Sequence, residues 1–197
     1  MTFILSLDPA QLRDWSALAA IDMRYKPKGN PDHGGRFEYD LVAMARKQGL
    51  PYDHIVDWVA KTLKKPEFNR EGPPDFILDS TGVGVAVRDM LLAKGIRLKA
   101  ATIVAGETFT RQGSIYHVGK PRLIGTFLGA FDAGKVHVNP NMPIWPQLEK
   151  EMLGFRAEMS AQGRAKFEAE PGEHDDMLFA LAMAVWYGEE VLRGKRL

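Results

Sequence analysis

The chain contains no cysteine, which excludes disulfide bridges and thiolate metal sites. No apolar stretch approaches the roughly 20 residues that a membrane-spanning helix needs. The N-terminus has no basic region ahead of an apolar segment, and it soon reaches the acid Asp8, so a secretory signal is not expected. These absences favour a cytoplasmic protein with no membrane partner.

A strong excess of charge of one sign is also missing. Lys and Arg number 26 against 25 Asp and Glu, which leaves a formal net charge of +1. A protein with this balance has no global field that attracts nucleic acid, so DNA binding would depend on local basic clusters or bound cations. Three such clusters occur, although each is by itself more typical of a solvated surface: Lys61 with Lys64 and Lys65, Lys120 with Arg122, and Arg193 with Lys195 and Arg196.

The length and composition are those of one globular domain. At 197 residues, with 45% hydrophobic and 26% charged residues, the chain can bury a substantial core. No repeat, low-complexity segment or linker divides it. We therefore predict a single domain over residues 1–197.

The first part of the chain predicts three antiparallel strands and a helix. Thr2–Leu7 is branched and aromatic, as in a buried strand, and two further strands are predicted at Trp15–Met23 and Phe37–Ala45. The segment KPKGNPDHGG between them has loop composition. After Pro51, apolar residues recur at helical spacing.

The second part predicts parallel strands with covering helices. The segment DFILDSTGVGVAVRDMLLAKGIRLKAATIV has the pattern of a strand ending at Asp79, a helix closed by Gly95, and a strand Ile96–Val104, which together form a βαβ unit. Residues 105–118 are expected to form a mobile loop. The elements predicted after it are a helix Pro121–Ala133, a strand Val136–Val138, a helix Pro146–Met159, a hairpin around Ala165–Glu168 and a last helix from Asp175 to Leu192.

Acidic residues stand where these elements end. Asp8 ends the first strand and Asp79 ends the strand of the βαβ unit, while Asp175 and Asp176 open the last helix. Ligands of open α/β sheets gather beyond the carboxyl ends of the parallel strands, so these acids are expected to meet there. Carboxylates gathered together repel unless they take up protons or a cation. Oxygen ligands without thiolates favour Mg²⁺ or Mn²⁺.

Each of these motifs also has a plainer interpretation. An Asp before a helix is favoured as a cap, so the segment HDD could serve stability alone. His174 could cap the helix, ligate a metal or position a water. Gly82 and Gly84 could cradle a phosphate at a helix start, but they lack the spacing of a dinucleotide fingerprint, and close approach of the helix to the sheet explains them better.

The order of these motifs resembles the nuclease domain of tailed-phage terminase large subunits. The matching segments are LDPAQLRDWSALAAI, which carries Asp8 and Asp14, the strand and turn FILDSTGVG, and the helix opening HDDMLFALAMA. The resemblance covers nearly the whole chain. It implies an RNase H-like α/β fold, a mixed sheet of three antiparallel strands and then parallel strands flanked by helices, and cleavage of DNA during genome packaging.

The resemblance also implies site residues and cofactors. By position, Asp8, Asp79 and Asp175 match the catalytic acids, which would hold two Mg²⁺ or Mn²⁺ ions. Asp176 and Asp14 match further acids that would join the metal ligands.

Two basic residues are expected to contact DNA. Lys120 lies in a segment that often carries a lysine in this family, where it would neutralise a phosphate or assist the leaving group. Arg111 lies in the 105–118 segment, which we interpret as a DNA-facing flap. The implied partners are double-stranded DNA, a packaging ATPase domain, a small terminase subunit and a portal. The chain contains no G-x-x-x-x-G-K-S/T phosphate loop, so no packaging ATPase domain is expected in it and it should not package DNA alone.

The sequence therefore predicts a two-metal-ion endonuclease acting on double-stranded DNA. One alternative is another RNase H-like nuclease, such as a RuvC-type junction resolvase, which would prefer four-way junctions. A second is an actin-like or sugar-kinase-like nucleotide binder, which would need a glycine-rich hairpin after Asp8, where PAQLRDW has no glycine. A third is a non-catalytic protein that only docks to a packaging complex.

Overall fold

The computed structural model describes residues 2–11, 14–27, 35–159, 165–169 and 175–193. Within these ranges the chain forms ten strands and five α-helices. A π-helix, Tyr187–Leu192, follows the last α-helix. The elements are β1 (Thr2–Asp8), β2 (Trp15–Pro27), β3 (Gly35–Gln48), α1 (Tyr52–Leu63), β4 (Asp75–Asp79), α2 (Gly84–Ala93), β5 (Lys99–Val104), β6 (Phe109–Gln112), β7 (Ile115–Gly119), α3 (Lys120–Asp132), β8 (Val136–Val138), α4 (Trp145–Gly154), β9 (Phe155–Met159), β10 (Ala165–Ala169) and α5 (Asp176–Trp186).

Eight strands form one mixed sheet in the order β6-β7-β5-β4-β1-β2-β3-β8. β1, β2 and β3 are antiparallel neighbours, whereas β4, β5 and β7 run parallel to β1. The predicted α/β class and its mixed sheet of antiparallel and then parallel strands are therefore confirmed. β9 and β10 form a separate two-stranded sheet.

Helices cover both faces of the sheet. Alternate residues of β1 point to opposite faces, so that Ile4 packs in the core that contains α3 and α5, and Leu5 and Leu7 pack in the core beneath α1 and α2. Every residue of α5 from Met177 to Trp186 is buried, as expected of a helix that is apolar on all sides. No helix in the described part of the chain is long and apolar enough to cross a membrane.

The prediction of a mobile loop over residues 105–118 is wrong. β6 and β7 form a hairpin there, and β7 pairs with β5 as a further parallel strand. Tyr116 and Val118 are fully buried, so β7 contributes to the core, whereas residues 110–114 are exposed. Its glycines indicated a loop, but Gly113, with φ of 61°, lies in the hairpin turn, where a left-handed backbone is needed.

One predicted helix ends earlier than expected, and another reaches its predicted end at Leu192 but changes type. The helix predicted to run to Met159 ends at Gly154, because Phe155–Met159 pairs with β10. The last α-helix ends at Trp186 and continues as a π-helix. Helical and strand propensities are weak compared with tertiary pairing, and neither change was visible in the local pattern.

A buried acid near the start of β3 links this strand to its neighbours β2 and β8. Glu38 of β3 is ion-paired with Lys26 of β2, with Arg36, and with His137 of β8, whose Nε2 lies 3.1 Å from its carboxylate. The pKa of Glu38 falls to about 2, mainly because of the hydrogen bond from Lys26; burial opposes this shift, and the hydrogen bonds from Arg36 and His137 contribute to it.

We therefore expect Glu38 to stabilise the fold above its unfolded-state pKa, near 4.5, and to lose this contribution as the pH falls towards about 2. The Glu38→Gln variant should be less stable than the wild type at neutral pH. The difference between the two should shrink as the pH falls from about 4.5, in urea unfolding measured at each pH. A difference that stays constant down to pH 2.5 would contradict this role.

Candidate functional site

Asp8 and Asp79 lie side by side at the carboxyl ends of two parallel strands. The register of β1 and β4 pairs Leu7 with Leu78, and the two acids are the next residues of their strands. β1 and β4 are direct neighbours at the centre of the sheet. The expected meeting of these two strand ends is thus observed.

The turn after Asp79 is held by a chain of hydrogen bonds. The Thr81 N–H donates to the Asp79 carboxylate at 2.7 Å, and the Ile103 N–H donates to the Thr81 hydroxyl at 2.8 Å. The Ser80 N–H and hydroxyl both donate to the Ala101 carbonyl, at 2.7 and 3.2 Å. Asp79 is therefore tied through this turn to β5, which limits where its carboxylate can point.

Helix α2 begins directly against the end of β4. A Cβ added to Gly84, its first residue, would lie 1.9 Å from the Asp79 carbonyl oxygen and 3.4 Å from Pro9. Gly82, two residues earlier, has φ of +54°, in the left-handed region. Close approach of the helix to the sheet therefore explains the DSTGVG segment.

The start of α5 brings two further acids to the same sheet edge. The pKa of Asp8 is well above its usual value, first because the carboxyl is buried and then because of Asp79, Asp176 and Asp175. Neighbouring acids lose their protons in steps, so the acid that ionises last has the largest rise in pKa, because its neighbours are already negatively charged. Burial also raises the pKa of Asp79, although Thr81 and Lys120 oppose the shift.

Lys120 is the cation of this cluster. It is the first residue of α3, and its Nζ lies 3.6 Å from the Asp175 carboxylate and 5.4 Å from the centre of the Phe179 ring. Its charge lowers the pKa values of both Asp8 and Asp79. A single ammonium ion cannot balance four carboxylates, so the cluster attracts cations.

Asp175 stands at the N-cap of α5 but does not cap it with its side chain. Its carbonyl accepts from the Phe179 N–H at 2.8 Å, and its carboxylate makes no capping hydrogen bond. The Glu151 carboxylate, from α4, instead accepts from the N–H groups of Met177 and Leu178 at 2.9 and 3.0 Å. The plainer interpretation of HDD as a side-chain cap therefore does not hold for Asp175.

Glu151 is the residue that sequence reasoning missed. Its carboxylate also meets Arg46 of β3 at 3.1 Å, and burial raises its pKa to about 7, while Leu178 and Arg46 oppose that shift. A signal was present in the sequence. Glu151 lies three residues after the buried Leu148 and so shares the apolar face of α4, where an acid needs a partner.

The other predicted residues, Asp14, Arg111 and His174, lie in different settings. Among the described residues, the largest charge effects on the pKa of Asp8 come from the three other clustered acids and Lys120, and Asp14 is not among these. Asp14 is exposed, and its carbonyl accepts from the Gly49 N–H at 3.4 Å. Arg111 lies on the edge strand β6, where it donates to the Gly113 carbonyl and stacks over Tyr116. His174 lies outside the described residues.

The donor set of the cluster fits a hard divalent cation, because it consists of carboxylate oxygens. In the described ranges, however, no three carboxylate or imidazole side chains already stand close enough to hold an ion. Mutual repulsion separates like charges, and a cation would draw them together. The acids therefore provide the chemistry of a metal site, and side-chain movement would have to complete its geometry.

A cavity of about 960 Å³ lies elsewhere, between α1, the segment that follows α2 and the amino ends of β4 and β5. None of the clustered acids lines it. Its charged lining is mostly basic: Lys61, Lys64, Lys94, Arg97 and Lys99, with Asp57 and Asp75. The candidate site is thus defined by converging charges at a sheet edge and not by this cavity.

Solved structures of the same architecture are terminase nucleases. The large terminase nuclease from thermophilic phage G20c with bound magnesium is 22% identical, with a TM-score of 0.65 over 93% of this chain and 80% of that one. The large terminase nuclease domain of Thermus phage P74-26 is 19% identical, with a TM-score of 0.67 over 95% and 79%. A mutant nuclease domain of the large terminase subunit of bacterial virus Sf6 with manganese is 12% identical, with a TM-score of 0.60 over 94% and 88%.

At these identities the likeness establishes a common fold. The chain has the fold of large terminase nuclease domains, as the order of its sequence motifs predicted. No protein-family model matches the chain, and a comparison with curated proteins finds no match.

Proposed function

We propose that this protein is a divalent-metal-dependent endonuclease that cleaves double-stranded DNA, as a nuclease domain in viral genome packaging would. The observation that carries the proposal is the convergence of Asp8, Asp79, Asp175 and Asp176 at one sheet edge, where Asp8 is buried among like charges. The shared fold with terminase nucleases, some of them with magnesium or manganese, supports it.

The four acids have different parts in this proposal. Asp8, which is buried among the three others, is proposed to hold two Mg²⁺ or Mn²⁺ ions together with Asp79, Asp175 and Asp176. The hydrogen bond from Thr81 would orient Asp79 as a ligand, and the start of α5 would present Asp175 and Asp176. When bound, such ions polarise a phosphodiester and lower the pKa of a coordinated water.

The basic residues act on the substrate. Lys120 already balances part of the negative charge of Asp175, at 3.6 Å, and is placed to meet a phosphate that approaches the cluster. Arg111 and Asp14 are proposed only as outlying contacts, Arg111 to DNA and Asp14 to a metal ion through side-chain movement. Phosphate contacts position DNA without identifying its sequence, so little sequence preference is expected.

The packaging partners belong to the same proposal. A packaging ATPase domain, a small terminase subunit and a portal are proposed because the fold is shared with nuclease domains of large terminase subunits. The motor activity would come from that ATPase domain, since the present chain has no phosphate-loop motif.

The direct test is cleavage of supercoiled plasmid with and without metal. We expect nicked and linear products with Mg²⁺ or Mn²⁺, none in excess chelator, and recovery when Mn²⁺ is added back. Asp79→Asn should remove the activity, whereas Asp132→Asn, which changes an exposed acid at the end of α3, should keep it.

Two outcomes would overturn the proposal. Undiminished cleavage in chelator would exclude a metal-dependent reaction, and unchanged cleavage by Asp79→Asn would exclude this acid cluster as the site. A four-way junction cut much faster than linear duplex would indicate a junction resolvase instead.

A further inference from the structure

The first turn of α5 needs hydrogen-bond acceptors that its own sequence does not supply. The initial N–H groups of any α-helix have no partner within the helix, and this start is enclosed in the core, because Met177 is fully buried and Leu178 is 4% exposed. Asp175 occupies the N-cap, yet its carboxylate lies 3.6 Å from Lys120 and makes no capping bond. Another element must therefore satisfy these donors.

Glu151 of α4 satisfies them through one carboxylate oxygen. Its Oε2 accepts from Met177 and Leu178 at 2.9 and 3.0 Å, and its Oε1 lies 3.1 Å from Nη1 of Arg46. The Glu151 side chain is 5% exposed. Arg46 in turn lies 4.4 Å from the centre of the Trp15 ring. The start of α5 is therefore connected to β3 and β2 through the contacts of Glu151 in α4.

In this arrangement the residue that caps α5 is different from the acids at its start. If Asp175 capped α5 with its own carboxylate, that carboxylate would turn towards the N–H groups of the first turn and away from Lys120. Because Glu151 occupies those N–H groups, the carboxylate of Asp175 can face Lys120 and Asp8. The adjoining Asp176 is fixed in position by the same anchored turn.

We propose that Glu151 is a positioning residue for the metal ligands Asp175 and Asp176, acting through the cap of α5 and held in place by Arg46. The inference rests on the proposed metal-dependent function. In this role Glu151 would act without contacting the ion or the substrate. Its effect on metal binding is indirect, through the helix start on which both acids stand.

The test is Mn²⁺ affinity, measured without DNA by electron paramagnetic resonance or calorimetry at a temperature where every variant is folded. We expect Glu151→Ala to weaken Mn²⁺ binding by about 10- to 100-fold, the range typical of groups that orient metal ligands. Glu151→Gln keeps an acceptor oxygen for the two N–H groups but turns its NH2 group towards Arg46, so its Mn²⁺ affinity should lie between those of wild type and Glu151→Ala. Glu149→Ala, on the exposed face of the same helix, is the matched control and should change nothing.

The outcomes separate this role from stability alone. A Glu151→Ala variant with a lower melting temperature but wild-type Mn²⁺ affinity would overturn the proposal, because Glu151 would then only stabilise the helix. If the alanine variant does not fold, Glu151→Asp, which is one methylene shorter, should show the same loss of affinity, and wild-type affinity in that variant would equally overturn it.

The proposed nuclease activity can fail independently. A wild-type chain that binds Mn²⁺ and does not cut DNA would refute that activity while the affinity ratios of the Glu151 variants still decide the positioning role. A wild-type chain that binds no Mn²⁺ would overturn the positioning role.

Discussion

Replacing Asp8 by Asn is expected to abolish DNA cleavage and, at the same time, to raise the melting temperature of the metal-free protein. The two effects have one cause. Burial is the main reason why the pKa of the Asp8 carboxyl is raised, and the charges of Asp79, Asp176 and Asp175 raise it further, because the ionised form is unfavourable there. An amide of the same shape removes that repulsion and also removes the anionic oxygen that a cation would bind.

The expected sizes are large enough to measure easily. A loss of cleavage rate on the order of 10³-fold corresponds to about 4 kcal/mol of activation free energy. Relief of about 1 kcal/mol of repulsion would raise the melting temperature of a chain this long by about 2–4 °C. The wild type should also be stabilised by Mn²⁺, by about 2.7 kcal/mol at a hundred times the dissociation constant, and the variant should not.

Differential scanning fluorimetry with and without Mn²⁺, together with plasmid cleavage, measures all three quantities. Asp132→Asn is the matched control, since it removes one negative charge from an exposed position at the end of α3. It should leave cleavage and the Mn²⁺-induced shift unchanged. An Asp8→Asn protein that cuts DNA at the wild-type rate would remove Asp8 from the site.

Replacing Gly84 by Ala should destabilise the fold by about 1–3 kcal/mol or more, as overpacking does in well-packed regions. The added Cβ would lie 1.9 Å from the carbonyl oxygen of Asp79, a backbone atom that cannot rotate away. Helix α2 would have to shift from the end of β4, and Asp79 would shift with it. Cleavage is therefore expected to fall even at temperatures where the variant is fully folded.

Gly125→Ala provides the matched control for this change. Gly125 lies within α3, and a Cβ added there meets no atom within 4 Å. Because Ala has a higher helix propensity than Gly, this variant should be as stable as the wild type or more so by up to about 1 kcal/mol. Urea unfolding would compare the two variants. Equal stability of Gly84→Ala and wild type would show that α2 can move away without cost.

The sequence predicted the elements that build the candidate site. The branched and aromatic residues of β1, and the strand that ends at Asp79 with its glycine turn and helix, were visible as local patterns, because strand and helix patterns are properties of short segments. From the rule that parallel strands end at one edge, the meeting of Asp8 and Asp79 followed as well. Asp175 and Asp176 were expected at the same edge because they open the last helix, and the resemblance to a family then implied their roles as metal ligands.

Local sequence patterns gave wrong predictions where the structure of a segment depends on pairing with a strand that is distant in the sequence. Residues 105–118 contain glycines that are typical of a loop, yet Tyr116 and Val118 complete the sheet beside β5. β9 was predicted as the end of a helix, although it pairs with β10. In each case the pairing strand supplies hydrogen bonds and burial that no window of neighbouring residues contains.

By itself, the amino-acid sequence determined the α/β class, the strand ends that carry the acids, and the absence of thiolate ligands from a chain without cysteine. Only the tertiary structure decided which group caps α5 and where the acids of that helix point. The Glu151 carboxylate and the Met177 N–H it accepts from are 26 residues apart, and the residues between them include a strand pair. A hydrogen bond across such a separation exists because packing brings two helices together, and local sequence cannot record that contact.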